Sequence, residues 1–247
     1  MRRIVGLLVL CLAAPLAVSA QTVDESRGFV SVFGGLQGAD GSSTQSGTFS
    51  IYGETGNWSA SQSYDGGSTI WFGGGAKIVG NFGVGAGFSR TTDKQDATVT
   101  VSAPHPLLFD SPRSATLTQN SLKHNVNAFH IQALYFLPVN ERFDVVLGAG
   151  PSFYTITHDF VTSAGFAEGA APYSTVTVTN VAVTEGDKTQ TGFNLGAEAA
   201  YYLTKNVGVG GALRYLVGTA DMEVSGGTTQ EVGISGLQLA VGAKIRF

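Results

Sequence analysis

Cysteine is almost absent from this chain: Cys11 is the only one, and it sits inside an apolar run near the start. Any fold beyond that run must therefore hold together without disulfides, through a core or through backbone hydrogen bonding. Charge is scarce as well, at 13% of 247 residues, with 14 basic against 18 acidic side chains and a net charge of −4. That balance speaks against a nucleic-acid partner. After Ala20 no apolar run approaches the roughly 20 residues a membrane helix needs, and no segment sustains a helical period. What is plentiful is 34 glycines, 15 phenylalanines and 8 tyrosines, amid many serines and threonines. Glycine costs a helix interior about 1 kcal/mol relative to alanine, so this composition suits strands and turns.

The opening segment reads as a secretion signal. Arg2 and Arg3 form a basic start, Ile4 to Leu16 an apolar run, and Val18-Ser19-Ala20 offers small residues for cleavage near Ala20. Leu10 stands where a lipid-anchoring signal has a small residue, so Cys11 is not read as a lipidation site. Residues 21–247 are expected to form one domain.

Alternation with a period of two runs through that domain. Leu237, Leu239, Val241, Ala243, Ile245 and Phe247 make one face, and Gln238, Ala240, Gly242, Lys244 and Arg246 the other. The same pattern recurs in Val207–Val217, Phe193–Leu203, Phe143–Phe153, Phe129–Leu137, Phe82–Phe88 and Ile70–Ile78, while Phe29–Gln37 is harder to assign to faces. These eight segments are joined alternately by three short turns, at Gly80-Asn81, Pro138 to Glu141 and Thr204-Lys205-Asn206, and by four long polar stretches, Gly38–Gly66, Thr92–Asn120, Thr157–Thr189 and Thr219–Gly233. The asymmetry predicts an all-β protein: a closed up-and-down antiparallel transmembrane barrel with short periplasmic turns and four long extracellular loops. Closure follows from lipid, where an open sheet edge would leave backbone groups without partners. Hairpin arms within the long stretches, at Thr48–Tyr52 with Trp58–Tyr64, Ala97–Ser102 with Ser114–Thr118, and Thr175–Thr184, predict strands that continue above the lipid. If the last arm pairs independently, the count becomes ten.

Eight strands leave room only for side chains in the lumen. Inward positions carry Lys77, Glu198, Arg214, Lys244 and Arg246, which predicts a lumen charge network with Glu198 paired to one or more of the cations.

On this pattern the chain resembles small outer-membrane β-barrel proteins, the family that includes the transmembrane domain of outer membrane protein A and the single-barrel outer membrane proteins X and W. The resemblance is architectural across residues 28–247. It extends to a terminal assembly signal, for which Gly242, Ile245 and Phe247 stand in place, although Ala240 occupies a position that is usually polar. The resemblance implies residence in the outer membrane of a Gram-negative bacterium, contact with its lipid, and recognition of the last strand by the barrel-assembly machinery.

Candidate chemistry is thin. The glycine clusters Gly73-Gly74-Gly75 and Gly83 to Gly87 lack the Lys-Ser/Thr signature of a phosphate loop, and read as close packing in a narrow barrel. His124 and His130 share a face but lie about 20 Å apart along a strand, too far for one metal. Ser152, His158 and Asp159 are the best local set for hydrolysis, with no motif to make them converge. No cofactor is expected. The most unusual stretch is Pro104-His105-Pro106-Leu107-Leu108-Phe109-Asp110-Ser111-Pro112-Arg113, either an exposed binding patch on the second outer loop or a segment folded back over the mouth, with Phe160, Phe166 and Tyr173 as packing partners. The functional expectation is a non-enzymatic barrel with a structural or surface-interaction role through its loops and an unknown extracellular ligand. The alternatives are a narrow, porin-like channel for small or apolar molecules and a lipid-modifying barrel enzyme.

Overall fold

The computed structural model describes residues 27–224 and 228–247; the signal segment and Cys11 lie outside them. Ten strands follow in chain order: β1 (Gly28–Ile51), β2 (Glu54–Val79), β3 (Phe82–Ala103), β4 (Arg113–Asn140), β5 (Phe143–Glu168), β6 (Val176–Tyr202), β7 (Val207–Val217), β8 (Thr219–Val224), β9 (Thr228–Gly233) and β10 (Gly236–Arg246). Eight of them close a ring in the order β1-β10-β7-β6-β5-β4-β3-β2, every pair antiparallel, and β8 and β9 form a separate two-stranded ribbon. The eight-strand barrel expected from the alternation is present. The ten-strand alternative is not, because the arm after Thr175 is the upper part of β6, paired with β5 from Glu168↔Val176 onward.

The seam is built by β1 and β10, from Phe29↔Arg246 to Ala39↔Gly236. It depends on Gly242, because a Cβ there would collide with the Val32 carbonyl oxygen. At the lower end the chain turns tightly, with Gly80 at a positive φ of 55° between β2 and β3. At the upper end Tyr52 and Gly53, both at positive φ, close the β1–β2 hairpin in two residues.

Six strands are 22 to 28 residues long, against the 9 to 11 that cross a bilayer. Their lower parts, together with β7 and β10, carry an exposed apolar band that includes Val32, Leu36, Ile70, Phe72, Phe88, Phe129, Phe153, Phe193, Tyr215, Leu239 and Ile245. Their upper parts stand clear of that band and have an apolar inside. Trp58, Ala60, Ala97, Val99, Val101, Leu122 and Val161 form one buried cluster, with Phe49 and Phe166 stacked beside it at 5.4 Å. A second cluster joins the β8–β9 ribbon to the wall: Ala220, Met222, Val232 and Ile234 pack with Val126, Ala128, Tyr154, Ile156, Phe160 and Leu216. The stretch 219–233, expected as a polar connection, is thus in part an apolar ribbon.

Candidate functional site

The lumen of the lower barrel is filled by side chains in layers. At the bottom Arg246 lies over the Tyr202 ring at 3.8 Å, and its guanidinium donates to the carbonyls of Lys205 (2.8 Å) and Glu141 (2.7 Å). Lys77 sits 5.3 Å from the Phe136 ring centroid. One layer up, fully buried Lys244 pairs with Asp144 at 3.2 Å and lies 4.2 Å from the Phe29 ring, while the Tyr202 hydroxyl donates to the same carboxylate at 2.8 Å. Arg214 stacks on Trp71 at 4.0 Å, and Trp71 packs edge-on against Phe33. Such cation–aromatic stacking lets a narrow lumen hold cations away from water.

Glu198 lies within electrostatic reach of Lys244 and Arg214 without direct contact to either. Among the described residues Glu198 closes no direct ion pair, its Oε2 has no hydrogen-bond partner, and Lys244 is held by Asp144 instead. The physical reason is position around the ring: Asp144, on β5 three strands round from β10, meets the inward-pointing Lys244, and Glu198 sits two residues further up β6, beside the cavity it lines with Arg214. The cavity that Glu198 and Arg214 line with Trp71 and Gln132 has a volume of about 20 Å³, about one water.

Above it His130, fully buried, shares hydrogen bonds with Ser89 (2.9 Å) and Ser152 (2.7 Å), and Asn194 donates to Ser152 at 2.8 Å. Gln37 accepts from Thr91 (2.7 Å) and from Gln238 (2.9 Å) in the same region. Ser152, His158 and Asp159 do not converge: Ser152 engages His130, His158 points inward against His124 at 3.1 Å, and Asp159 points outward, accepting the Lys123 N–H. Neighbours in a strand take opposite faces, so adjacent His158 and Asp159 cannot form a relay.

The far end of the molecule holds a platform made from three loops. Arg113, 8% exposed, forms an ion pair with Glu168 and donates to the carbonyls of Tyr173 (2.7 Å) and Pro104. Glu168 also accepts from the Tyr52 hydroxyl at 2.8 Å. The Arg113 hydrogen bond, then that of Tyr52, hold the Glu168 carboxyl below the usual range, and the bond to Glu168 raises the Tyr52 phenol. His105 accepts the N–H groups of Leu107 (3.1 Å) and Leu108 (3.2 Å) on Nδ1, which leaves Nε2 to donate to the Pro172 carbonyl at 3.1 Å. Glu54 accepts the N–H of Asp110 at 2.8 Å, where the chain turns with a φ of 54°.

Side chains from the first, second and third outer loops thus lock one another. On this base Leu107, Leu108 and Phe109 stand 70%, 57% and 83% exposed. Of the two readings of this stretch the tip does not fold back; its charged and imidazole members do, as the anchor. Phe160 and Phe166 belong to the two apolar clusters below, and only Tyr173, through its carbonyl, reaches the loop. Asp144, Glu54, Tyr52 and Glu168 carried no sequence signal, because each acts through a partner more than 50 residues away.

Residues 7–247 match the family described as the outer membrane protein beta-barrel domain. Among solved structures the chain is similar to the outer membrane protein OprG from Pseudomonas aeruginosa, at a TM-score of 0.52 and 11% identity, covering 92% of this chain and 99% of that one. It is also similar to Neisserial surface protein A (TM-score 0.46, 13% identity, 89% and 97% covered) and to a major outer membrane protein from Thermus thermophilus (0.45, 13%, 90% and 100%). No curated protein is a detectable sequence relative.

Proposed function

This chain belongs to the outer membrane protein β-barrel family, and from that premise we propose that it is a non-enzymatic surface-interaction barrel that presents Leu107, Leu108 and Phe109 to an apolar surface outside the cell. The observation that carries the reading is the pairing of an exposed apolar tip with a buried, hydrogen-bonded base. Apolar side chains held in water on a rigid support bind with little ordering of the loop, which is how a small contact gains affinity. The filled lumen, with a cavity of about 20 Å³ in its middle layer, supports a wall and scaffold in preference to a channel. The separation of Ser152 from His158 supports a binding role over a hydrolytic one.

In this reading the signal segment is removed near Ala20, the exposed band meets lipid, and the assembly machinery takes up the last strand through Gly242, Ile245 and Phe247. Ile245 and Phe247 are exposed on the outer face, where such a partner could reach them. The test is attachment of cells displaying the chain to octyl-coated and to protein-coated surfaces. Leu107→Ser/Leu108→Ser/Phe109→Ser at equal surface display is expected to weaken attachment to the octyl coat at least about tenfold, equivalent to about 1.4 kcal/mol. Unchanged attachment would overturn the proposal.

A further inference from the structure

The β8–β9 ribbon is the continuation of the β7–β10 pair. Tyr215↔Leu237 and Leu216↔Gly236 below, and Thr219↔Gly233, Ala220↔Val232 and Asp221↔Glu231 above, belong to one unbroken register. The Ile234 N–H donates to the Gly218 carbonyl at 3.0 Å in that same register. What changes at Gly218 and Ser235 is the relation to the ring. Hydrogen bonding of β7 to β6 stops at Val217↔Phe193, and that of β10 to β1 stops at Gly236↔Ala39.

Above those points, among the described residues, β6 pairs only with β5, and β1 only with β2. The upper wall therefore has a slot two strands wide, with an unpaired edge on each side. Lys188 and Gln190 show that the slot is open, since they have the inward parity of buried Asn194 and Tyr202 and yet are exposed. The ribbon instead leans inward from the slot, with Met222 against Gly186 of β6, and covers the lumen with Ala220, Met222, Val232 and Ile234 at 1% exposure or less. The bend is braced by one side chain: the Ser235 hydroxyl accepts the Gly218 N–H at 3.1 Å and lies 3.2 Å from the Gly218 carbonyl, to which it donates.

We propose that the ribbon is a hinged plug that exchanges between this lumen-covering position and the slot. In the slot the registers of the ring continue: Thr219 meets Thr191 and Asp221 meets Thr189 on one side, and Gly233 meets Ser42 and Glu231 meets Thr44 on the other. The side-chain parity fits both positions. Ala220, Met222, Val232 and Ile234 face the interior in each, and Thr219, Asp221, Glu223, Thr229 and Glu231, exposed now, would face outward from the wall. The covering position gains apolar burial against Tyr154, Ile156 and Phe160; the slot satisfies two sheet edges. Gly218 supplies the freedom at the hinge, and exchange opens the lumen above the His130 layer to the outside.

Thiol labelling of the refolded full chain, on a Cys11→Ser background, tests this. Ile156→Cys lies beneath the ribbon and Val101→Cys lies between fully paired strands, and both wild-type side chains are 0% exposed. A charged, membrane-impermeant maleimide is expected to label Ile156→Cys at least about tenfold faster, because labelling of a buried thiol reads local opening. Equal rates, in variants that keep their heat-shifted electrophoretic mobility, would overturn the plug. A second measurement is independent of core packing. Mild oxidation is expected to join Asp221→Cys to Thr189→Cys faster than Asp221→Cys to Asp187→Cys. Absence of that register preference would also overturn it.

Discussion

The lower and upper halves of the same strands have opposite polarity. In β3 the even-numbered residues face outward from end to end, without a break in that parity. Phe82, Val84 and Phe88 are the outward residues below, whereas above Arg90 they are Thr92, Lys94, Asp96, Thr98 and Thr100. The inward residues change the other way and a little higher, from Gly83, Gly85, Gly87, Ser89, Thr91, Asp93 and Gln95 to Ala97, Val99 and Val101. The backbone is continuous and only the solvent changes. Below, lipid surrounds a polar, glycine-rich lumen; above, water surrounds an apolar core. The difference teaches that backbone pairing around the ring holds the lower half, whereas the upper half is stabilised as a water-soluble sheet sandwich is, by burial of side chains.

The largest effect is expected where the lower half depends on backbone approach. Gly242→Val would press a branched side chain into the Val32 carbonyl and keep the β1–β10 seam from closing, whereas Gly233→Ala in the ribbon meets nothing within 4 Å. Electrophoresis of refolded protein with and without heating should show no heat-dependent shift for the first and a full shift for the second. A shifted, closed Gly242→Val barrel would show that the seam tolerates a wider spacing.

Next in size is the buried ion pair. Asp144→Ala takes from buried Lys244 its direct ion-pair partner, at a cost of roughly 3–5 kcal/mol in stability. Asp144→Ala/Lys244→Met should recover most of it, because removing both charges removes the penalty. Urea unfolding in lipid vesicles reads the two, and a double variant no more stable than the single one would mean that Lys244 contributes by packing on Phe29. In the upper half Leu122→Ala should cost roughly 2–4 kcal/mol by opening a cavity in the cluster around Trp58. Its signature separates the halves: faster tryptic cleavage at Lys94 or Lys123, with the heat-dependent shift of the lower barrel intact.

What the sequence made legible follows the same division. Outward apolar alternation marked the eight membrane-crossing segments and the faces of seven of them, because lipid demands it at every second position, and the strands do continue above the band through the arms at 48–64 and 97–118. Phe29–Gln37 was ambiguous for a reason visible in the lumen: Phe29 and Phe33 face inward, where they pack against Phe136 and Trp71 among the cations. The upper core went unread although Ala97–Ser102 reads as a strand, since alternation in one arm does not show that Ala97, Val99 and Val101 meet apolar residues of other strands. Ala220, Met222, Val232 and Ile234 escaped notice because each arm of the ribbon is only six residues long. The partner of Lys244 could not be read at all, for Asp144 is 100 residues away along the chain and meets it only once the ring is closed.

The smallest expected effect is a pH response confined to the upper half. Burial, with His124 adding to it, pulls His158 from 6.5 down to about 3, and burial also lowers His124 against an opposing contribution from Asp93. His158 also packs edge-on against Phe160 at 4.5 Å, within the cluster beneath the ribbon. A histidine held neutral in the folded state binds fewer protons there than when unfolded. Stability present above pH 6.5 is therefore lost as pH falls from 6.5 toward 3, with a slope of at most roughly 1.4 kcal/mol per pH unit for each histidine. Proteolysis of the upper strands by an acid-active protease should accelerate across that window, while the heat-dependent shift stays constant. His158→Gln should flatten the response, because glutamine keeps a polar group facing His124 and takes up no proton. If acid instead opens both halves together, the two are one cooperative unit, and the difference in polarity between them is not a difference in stability.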